Sequence, residues 1–291
     1  MLFYFDYSLP LQKMVMAEVG KYNRLKVVKA VDFGLYLDGG DGQEILLPTR
    51  YVPQNTGVGD EIEVFIYHDN EGRLIATTAR PKATVGEFQF LQVREVNEIG
   101  AFLDWGIMKD LFVPFREQRS TMQAGRWYTV FIRIDEVTGR IMGTARIEKY
   151  LNNTPPTYEY NQEVQLLVFE ENEFGYKAVI NNLHSGLIYR DDVFRKIEIG
   201  EHLKGYIKEI REDGKIDLSI VPLGYAKVEG IAGMILESLR LHGGFLPVGD
   251  KSDPEEIHAL FHCSKKAFKQ AVGALYKQKR ILLEAQGIRL A

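Results

Sequence analysis

The stretches FGYKAVI at residues 174–180 and GEHLKGYIKEIREDGKIDLSI at residues 200–220 decide the fold, because both recur in altered form earlier in the chain. FGLYLD and IGAFLD are the counterparts of the first stretch, and GDEIEVFIY and GRWYTVFIR open the counterparts of the second. Corresponding glycines lie 66 or 67 residues apart between the first and second copies and 75 apart between the second and third. Such regular repetition indicates three copies of one structural unit.

Each copy has the pattern of antiparallel β-structure. In the first copy, short runs of β-branched and aromatic residues are separated by the turn signals GGDGQ and DNEG. Five short strands in about 60 residues predict a small closed barrel, since closure removes exposed sheet edges. The three copies lack the amphipathic helices that connect parallel strands, which disfavours a parallel α/β fold.

The hydrophobic period changes to a helical one from Tyr225 onward. The segment VEGIAGMILESLRLHGG ends on a glycine pair, and Asp253 followed by Pro254 is a helix-start signal. Ser264 is a candidate N-cap of a third helix, whose apolar face consists of Phe268, Ala271, Val272 and Leu275. The sequence RILLEAQGIRLA is typical of a hairpin. The order of three helices and a hairpin resembles a winged helix.

The order of these elements also resembles known families. Each copy resembles the S1 motif of ribosomal proteins and ribonucleases, and the whole of residues 17–291 resembles the conserved virulence factor B family, as do the phrases ILLPTRYVP and GKIDLSIVPLGY. The resemblance implies a mainly β protein with a C-terminal α+β domain. It places three tandem S1-type OB-fold barrels and a winged-helix domain at residues 17–80, 85–148, 158–222 and 225–291. NNTPPTYEYNQ is predicted to be a linker between the second and third barrels.

The C-terminal region differs from the rest of the chain in the sign of its net charge. The formal net charge is -4, which is not the basic footprint of a high-affinity DNA-binding protein. Residues 225–291 contain ten Lys or Arg and seven Asp or Glu, a net charge of +3, which leaves -7 for residues 1–224. The C-terminal region is therefore the basic part of the chain.

The chain has one cysteine, Cys263, which excludes an intramolecular disulfide and predicts a reducing, cytoplasmic location. No run approaches the roughly 18 apolar residues of a membrane helix, so no membrane partner is expected. The first thirteen residues lack a basic start and include Asp6, which disfavours a secretory signal. Because the patterned sequence begins near Glu18, Met14 and Met16 are the alternative starts of the native protein.

The aromatic side chains of the S1-type units are candidates for stacking on bases. We expect the glycine of each FG pair to introduce a bulge, so that aromatics at positions i and i+3 reach one outer face. The predicted RNA-binding residues are Phe33, Tyr36, Arg50, Phe102, Arg116, Phe174, Tyr176, Lys177, Tyr189 and Arg190. The third unit is the best candidate, because Pro48 and Pro114 occupy the position of Tyr189 in the other two units. The alternative for each aromatic is a packing role in the barrel.

The third helix of a DNA-binding winged helix enters the major groove with its polar face. The candidate contacts here are Lys265, Lys266, Lys269 and Lys277. No arginine suited to bidentate guanine recognition lies in this helix. Three alternatives remain: these lysines are simply solvated, they add contacts to RNA, or the helix docks against the third unit.

Catalytic and metal-binding signatures are missing from the sequence. It contains no GxxxxGK[ST], HExxH or GxSxG string. His258 and His262 lie one helical turn apart and Cys263 follows, but no fourth ligand of a zinc site is evident nearby. The sequence therefore predicts no enzyme activity, no bound metal and no cofactor.

Three functions of different classes remain. The repeated S1 pattern favours an RNA-binding protein that binds single-stranded RNA with low sequence specificity, because stacking discriminates little between bases. The family resemblance implies a bacterial post-transcriptional regulator. The alternatives are a DNA-binding transcriptional regulator that acts through the winged helix and a protein-interaction scaffold.

Overall fold

The computed structural model describes residues 16–193, 195–222 and 225–291. The first thirteen residues, for which an alternative start was predicted, lie outside the described residues. The chain divides between Arg146 and Ile147 into two units. The first unit holds two five-stranded sheets, and the second holds a third such sheet and all of the described α-helices. Of these helices, none is both long and apolar enough to cross a membrane.

The first unit begins with a closed barrel. Its sheet order is β1-β2-β3-β5-β4, and the strands are Tyr22–Val31 (β1), Gly34–Asp38 (β2), Glu44–Pro48 (β3), Glu61–His68 (β4) and Leu74–Thr77 (β5). Alternate residues of each strand point inward, so that aliphatic side chains fill the interior. The fully buried ones include Val27, Leu37, Ile45, Leu47 and Val64.

The second sheet of the first unit forms a nearly closed barrel. Its order is β10-β9-β6-β7-β8, and the strands are Phe88–Asn97 (β6), Gly100–Asp104 (β7), Leu111–Pro114 (β8), Trp127–Ile134 (β9) and Ile141–Thr144 (β10). Strands β8 and β10 are not paired in this sheet order, but they pack closely. A Cβ added to Gly143 of β10 would lie 2.9 Å from the Val113 side chain and 3.0 Å from that of Leu111.

The two barrels of the first unit share a hydrophobic core. Phe65 and Tyr67 of β4 are buried together with the core residues of the second barrel. The Trp105 ring meets the Phe65 ring edge-on, with centroids 5.7 Å apart. In addition, the Lys109 ammonium donates to the backbone carbonyls of His68 and Asp69, each at 2.8 Å. These contacts hold the two barrels against each other.

The second unit contains a closed barrel in the order β11-β12-β13-β15-β14. Its strands are Glu163–Glu171 (β11), Gly175–Ile180 (β12), His184–Tyr189 (β13), His202–Ile210 (β14) and Ile216–Ser219 (β15). The predicted linker, residues 152–162, contains no helix or strand and contacts this barrel. Asn152 donates its backbone N–H to the Leu183 carbonyl at 2.9 Å. The Tyr158 hydroxyl lies 2.8 Å from Nδ1 of the buried His184.

The repeated glycine that follows Phe33, Ile99 and Phe174 is required by a close approach between strands. The φ angles of Gly34, Gly100 and Gly175 are 156°, 154° and 150°. An added Cβ would lie 2.2, 2.4 and 2.0 Å, respectively, from a carbonyl oxygen of the facing strand. The prediction of a bulge at this glycine is wrong. The register shift lies on the preceding strand instead, between Val27 and Lys29 in the first barrel and at the equivalent places in the others.

The C-terminal region has the predicted helices and hairpin. Its elements are Tyr225–Leu241 (α1), Phe245–Leu246 (β16), Pro254–Phe261 (α2), Lys265–Lys277 (α3), Ile281–Glu284 (β17) and Gly287–Leu290 (β18). The Asp253 carboxylate accepts a hydrogen bond from the Glu255 N–H, and the Ser264 hydroxyl accepts one from the Ala267 N–H. Both predicted helix starts are thus confirmed. The predicted apolar face of α3 and Cys263 are buried in one core.

Together these elements confirm the predicted fold class. The protein is mainly β, with three closed or nearly closed five-stranded barrels. A C-terminal α+β region follows, in which three helices pack with the small sheet β16-β18-β17.

Candidate nucleic-acid interface

The outer surface of β12 and β13 carries the leading candidate site. We call it the third-barrel face and define it by Phe174, Lys177, Leu187, Tyr189, Lys208 and Arg211. The register pairs Gly175 with Tyr189 and Lys177 with Leu187, and β15 continues the row by pairing Asp217 with Leu187. Alternate residues of a strand point to the same side, so these residues share one surface. OB-fold barrels bind oligonucleotides on the corresponding strands and adjoining loops.

Two cations flank the ring of Tyr189. Lys208 Nζ and the Arg211 guanidinium carbon lie 5.7 and 5.8 Å from the ring centroid. Arg211 also donates to the Tyr189 hydroxyl, and its Nη2 and Nε donate to Asp217 Oδ2 at 2.9 and 3.1 Å. The hydrogen bond to Asp217 is the largest cause of the raised pKa of Arg211. Lys208 Nζ in turn pairs with the Asp192 carboxylate at 2.6 Å. A ring beside two cations can stack on a base while the phosphate competes with these carboxylates for the cations.

A pocket of about 400 Å³ opens beside the Tyr189 ring. It lies between strands β12 and β13 and the turn that joins β14 to β15. All three of its cations have carboxylate partners. Besides the pair of Arg211 with Asp217, Lys177 Nζ lies 2.6 Å from Glu170, and Lys215 Nζ lies 2.7 Å from Asp213. Exposed ion pairs contribute little to stability, so a phosphate can compete for these cations.

The other predicted residues of the third barrel differ in how far they are exposed to solvent. The Phe174 side chain is 59% exposed and therefore accessible to a base. The Arg190 guanidinium donates to the Asn172 carbonyl at 2.8 Å and pairs with Glu171 at 3.0 Å. Tyr176, by contrast, is only 8% exposed and belongs to the barrel core. Its prediction as an RNA contact is corrected, because the pleat turns it inward while the neighbouring Lys177 points outward.

The first barrel brings two of its three predicted residues together. The rings of Phe33 and Tyr36 meet edge-on with centroids 6.4 Å apart, and Phe33 is 58% exposed. Lys29, which the sequence analysis missed, lies over the Tyr36 ring at 5.5 Å. Arg50 lies 4.8 Å from the Tyr51 ring centroid. It also donates to the Met108 sulfur at 3.0 Å, so its guanidinium points to the second barrel.

In the second barrel, Phe102 and Arg116 line one pocket. The Phe102 ring packs against Phe112, with centroids 5.2 Å apart. Arg116 pairs with Asp135 at 3.1 Å. Phe112 was not predicted as a site residue. Its position opposite Phe102 in a β-ladder is the signal that could have found it.

The charge at one turn position differs between the three barrels. In each barrel, the residue that opens the turn before the last strand donates its backbone N–H to the carbonyl of the residue that closes this turn. The opening residues are Asp69, Asp135 and Arg211. The third barrel therefore presents a cation where the other two present carboxylates. Aligning HDNEG and IREDG on their glycines places Asp69 opposite Arg211, and in IDEVTG, which is one residue longer, the acidic Glu136 falls at this position. The charge reversal at Arg211 could thus have been found from the sequence.

The predicted lysines of α3 differ in their availability. Lys266, Lys269 and Lys277 are exposed. Lys269 Nζ lies 3.5 Å from the Asp250 carboxylate. Lys265 is partly buried and donates to the Ser252 carbonyl at 2.8 Å, so that its ammonium is held by the protein itself. The exposed three form the more accessible part of this candidate surface.

His258 of α2 and His262, which directly follows this helix, are the candidate metal ligands. The rings of His258 and His262 lie 6.1 Å apart and perpendicular to each other. Within residues 16–193, 195–222 and 225–291, no group of three or more His, Cys, Asp or Glu residues could hold a metal ion. The expected lack of a metal and a cofactor stays a prediction.

Comparison with known proteins extends these observations. A family model described as an S1 domain matches residues 19–79, and one described as a CvfB-like winged helix domain matches residues 233–290. Proteins named conserved virulence factor B from Staphylococcus epidermidis and Staphylococcus aureus are each 26% identical over 281 residues, which is 94% of this chain and 94% of each relative.

A solved structure from Streptococcus pneumoniae is also similar. It is described as a multidomain protein with nucleic acid binding domains, is 26% identical, covers 94% of this chain and 98% of its own, and has a TM-score of 0.43. The two matched domains of the present chain are of nucleic-acid-binding types, not of enzymatic families. The family models and the curated relatives together confirm the resemblance of this chain to the conserved virulence factor B family.

Proposed function

We propose that the protein binds single-stranded RNA with low sequence preference through the third-barrel face, and acts without catalysis as a post-transcriptional regulator in the bacterial cytoplasm. The arrangement around Tyr189 carries this proposal. It combines an aromatic ring with two flanking cations, Lys208 and Arg211. The exposed Phe174 on the same barrel adds a second ring.

A single strand fits this surface better than a duplex does. Rings that stack on bases need bases that are not already stacked in a helix, as in loops and unpaired strands. Every base offers a π-face, so stacking binds many sequences with similar affinity. RNA is favoured over DNA by the resemblance of the barrels to the S1 motif of ribosomal proteins and ribonucleases. The regulatory role is supported by the likeness to proteins named conserved virulence factor B.

Fluorescence anisotropy of the full chain with labelled single-stranded RNA, single-stranded DNA and duplex DNA tests the proposal. We expect saturable RNA binding that weakens at the higher of two salt concentrations. Replacing Tyr189 with alanine should weaken it about tenfold, since stacking contributes about 1–3 kcal/mol per base. Tyr160→Ala is the matched control, because Tyr160 is 72% exposed in the same unit but lies outside the third-barrel face.

Other results would contradict the proposal in distinguishable ways. Binding of duplex DNA without RNA binding, lost when Lys266 and Lys269 are replaced, would assign the activity to the winged helix. Binding of neither nucleic acid would favour a protein-interaction scaffold. Equal RNA affinities of the Tyr189→Ala and Tyr160→Ala variants would leave RNA binding in place but remove it from the third-barrel face.

A further inference from the structure

We infer that the junction between the first two barrels is a second nucleotide-binding pocket, in which the base lies against Phe102 and the phosphate lies between Lys109 and Arg140. The inference rests on the proposed function and deepens it, because it adds a site in the first unit that needs both barrels. We call this site the junction pocket.

The junction pocket is formed by both barrels of the first unit. It has a volume of about 370 Å³, within the range of about 300–1,000 Å³ that is usual for small-molecule sites. Tyr67 and His68 line it from β4 of the first barrel, and Trp105 and Phe102 line it from the second. An adjoining pocket of about 380 Å³ is also lined by Tyr67 and Phe102, and its lining extends to Arg50. The two pockets form a continuous groove.

One wall of the junction pocket is suited to a base. Phe102 and Phe112 form a tilted aromatic pair with centroids 5.2 Å apart, and both line the pocket. Ile99, which stands in place of the leading aromatic of the other barrels, is 61% exposed at the same pocket. An apolar, aromatic wall of this kind stacks on any nucleobase.

The junction pocket also contains two cations without carboxylate partners, which can bind the phosphate of a nucleotide. Lys109 Nζ donates only to the His68 and Asp69 carbonyls among the described hydrogen bonds. Arg140 makes no ion pair with any described residue. The guanidinium of Arg140 lies close to Gly72, since a Cβ added there would be 2.9 Å from Arg140 Nη2. Both cations therefore border the same turn of the first barrel.

The carboxylates that line the junction pocket are already neutralised. Asp110 pairs with Arg94 at 2.9 Å, and Asp135 pairs with Arg116 at 3.1 Å. Burial is the largest cause that lowers the pKa of Lys109; repulsion by Arg140 lowers it further, and the Asp69 carboxylate opposes both. A phosphate would relieve this repulsion, so a nucleotide matches both the wall and the charge of the junction pocket.

The site is held in place before a ligand arrives. The contact of Trp105 with Phe65 and the bonds of Lys109 to two carbonyls fix the second barrel against the first. Preorganisation of this kind lowers the entropy cost of binding. Trp105 also lines the pocket, and it is one of only two tryptophans in the chain. Its fluorescence therefore reports on the site.

The test uses the full chain with Trp127→Phe, which leaves Trp105 as the only tryptophan. Uridine 5′-monophosphate and a short oligouridylate are titrated separately, which distinguishes a free nucleotide from a residue of an RNA chain. We expect a saturable change in Trp105 emission with at least one of them. Adding Arg140→Gln should weaken this response about tenfold, as expected for the loss of a charge-assisted contact. Arg126→Gln is the matched control, because Arg126 is exposed in the same barrel but does not line the pocket.

The outcomes separate this inference from the proposed function. If neither ligand changes Trp105 emission while anisotropy detects RNA binding, the junction pocket is refuted and the third-barrel face stands. If anisotropy detects no RNA binding but uridine monophosphate gives a response that depends on Arg140, the pocket stands and the proposed function fails. Equal responses of the Arg140→Gln and Arg126→Gln variants would also overturn the inference.

Discussion

Replacing Gly100 with alanine tests whether the close approach between strands requires glycine at this repeated position. The second barrel is the best place for this test. It contains both tryptophans of the chain, Trp105 and Trp127, so tryptophan emission follows the unfolding of this barrel. Gly125→Ala in the same barrel is the matched control, because nothing lies within 4 Å of the Cβ that it would add.

The two substitutions share a backbone cost but differ in steric cost. The φ angles of Gly100 and Gly125 are 154° and 80°, so alanine is strained at both positions by about 1–2 kcal/mol. At Gly100 the new Cβ would also lie 2.4 Å from the Val113 carbonyl oxygen and 2.8 Å from the Pro114 Cα. Relieving this overlap requires a backbone shift that costs about 1–3 kcal/mol more. Gly100→Ala should therefore destabilise the barrel by about 2 kcal/mol more than Gly125→Ala.

Urea unfolding followed by tryptophan emission measures this difference. With a denaturant slope of about 1–3 kcal/mol per molar urea for a domain of this size, the midpoint of Gly100→Ala should lie about 1 M below that of Gly125→Ala. An equal midpoint for the two variants would refute the reasoning. The glycine would then be required only for its φ angle. The added Cβ would also come within 2.9 Å of the Phe112 ring, so the junction pocket should change together with stability.

Two further predictions concern charge and pH. Arg211→Asp gives the third barrel the charge of the other two and should weaken RNA binding at least about tenfold in anisotropy titrations, whereas Lys196→Asp, an equal change at an exposed site of the same barrel, should not. Burial is the largest cause that raises the pKa of Tyr67, from 10.0 to about 12 in the folded protein. The stability that this tyrosine contributes is complete below pH 10 and is lost as pH rises through 12. Unfolding midpoints in this window should therefore fall less steeply for Tyr67→Phe than for the wild type, and parallel slopes would contradict this.

Local signals account for the part of the fold that the sequence predicted. The helix starts at Asp253 and Ser264 depend on bonds within three residues, so the residue types alone identify them. The repeated glycines Gly34, Gly100 and Gly175 correctly predicted where a strand begins, but the structure requires glycine there for a close approach and not for a bulge. A bulge and a close approach both favour glycine, and only the position of the facing strand distinguishes them. In this protein the carbonyl oxygen of the facing strand excludes a Cβ atom, as the Leu47 carbonyl does at Gly34.

The candidate sites depended more on tertiary structure. Tyr176 and Lys177 are neighbours that the pleat places on opposite sides of β12, and the strand that pairs with them carries a register shift between Val168 and Glu170. No count along the sequence gives that shift. Arg211 reaches Tyr189 only because the turn between β14 and β15 lies beside β13. The pairing of Lys109 with the first barrel likewise requires the packing of one barrel on another.

The three barrels repeat one backbone but differ in their charge patterns, and this difference reconciles the proposed RNA binding with a net charge of -4. Binding depends on the charge next to the stacked base, because salt screens interactions between exposed charges beyond about 10 Å. In the first unit, Asp69 pairs with Arg73 and Asp135 pairs with Arg116. Lys109 and Arg140 at the junction pocket form no ion pair with a described residue. In the second unit, Arg211 replaces the carboxylate itself. An acidic chain can thus place cations beside an aromatic ring at two local sites.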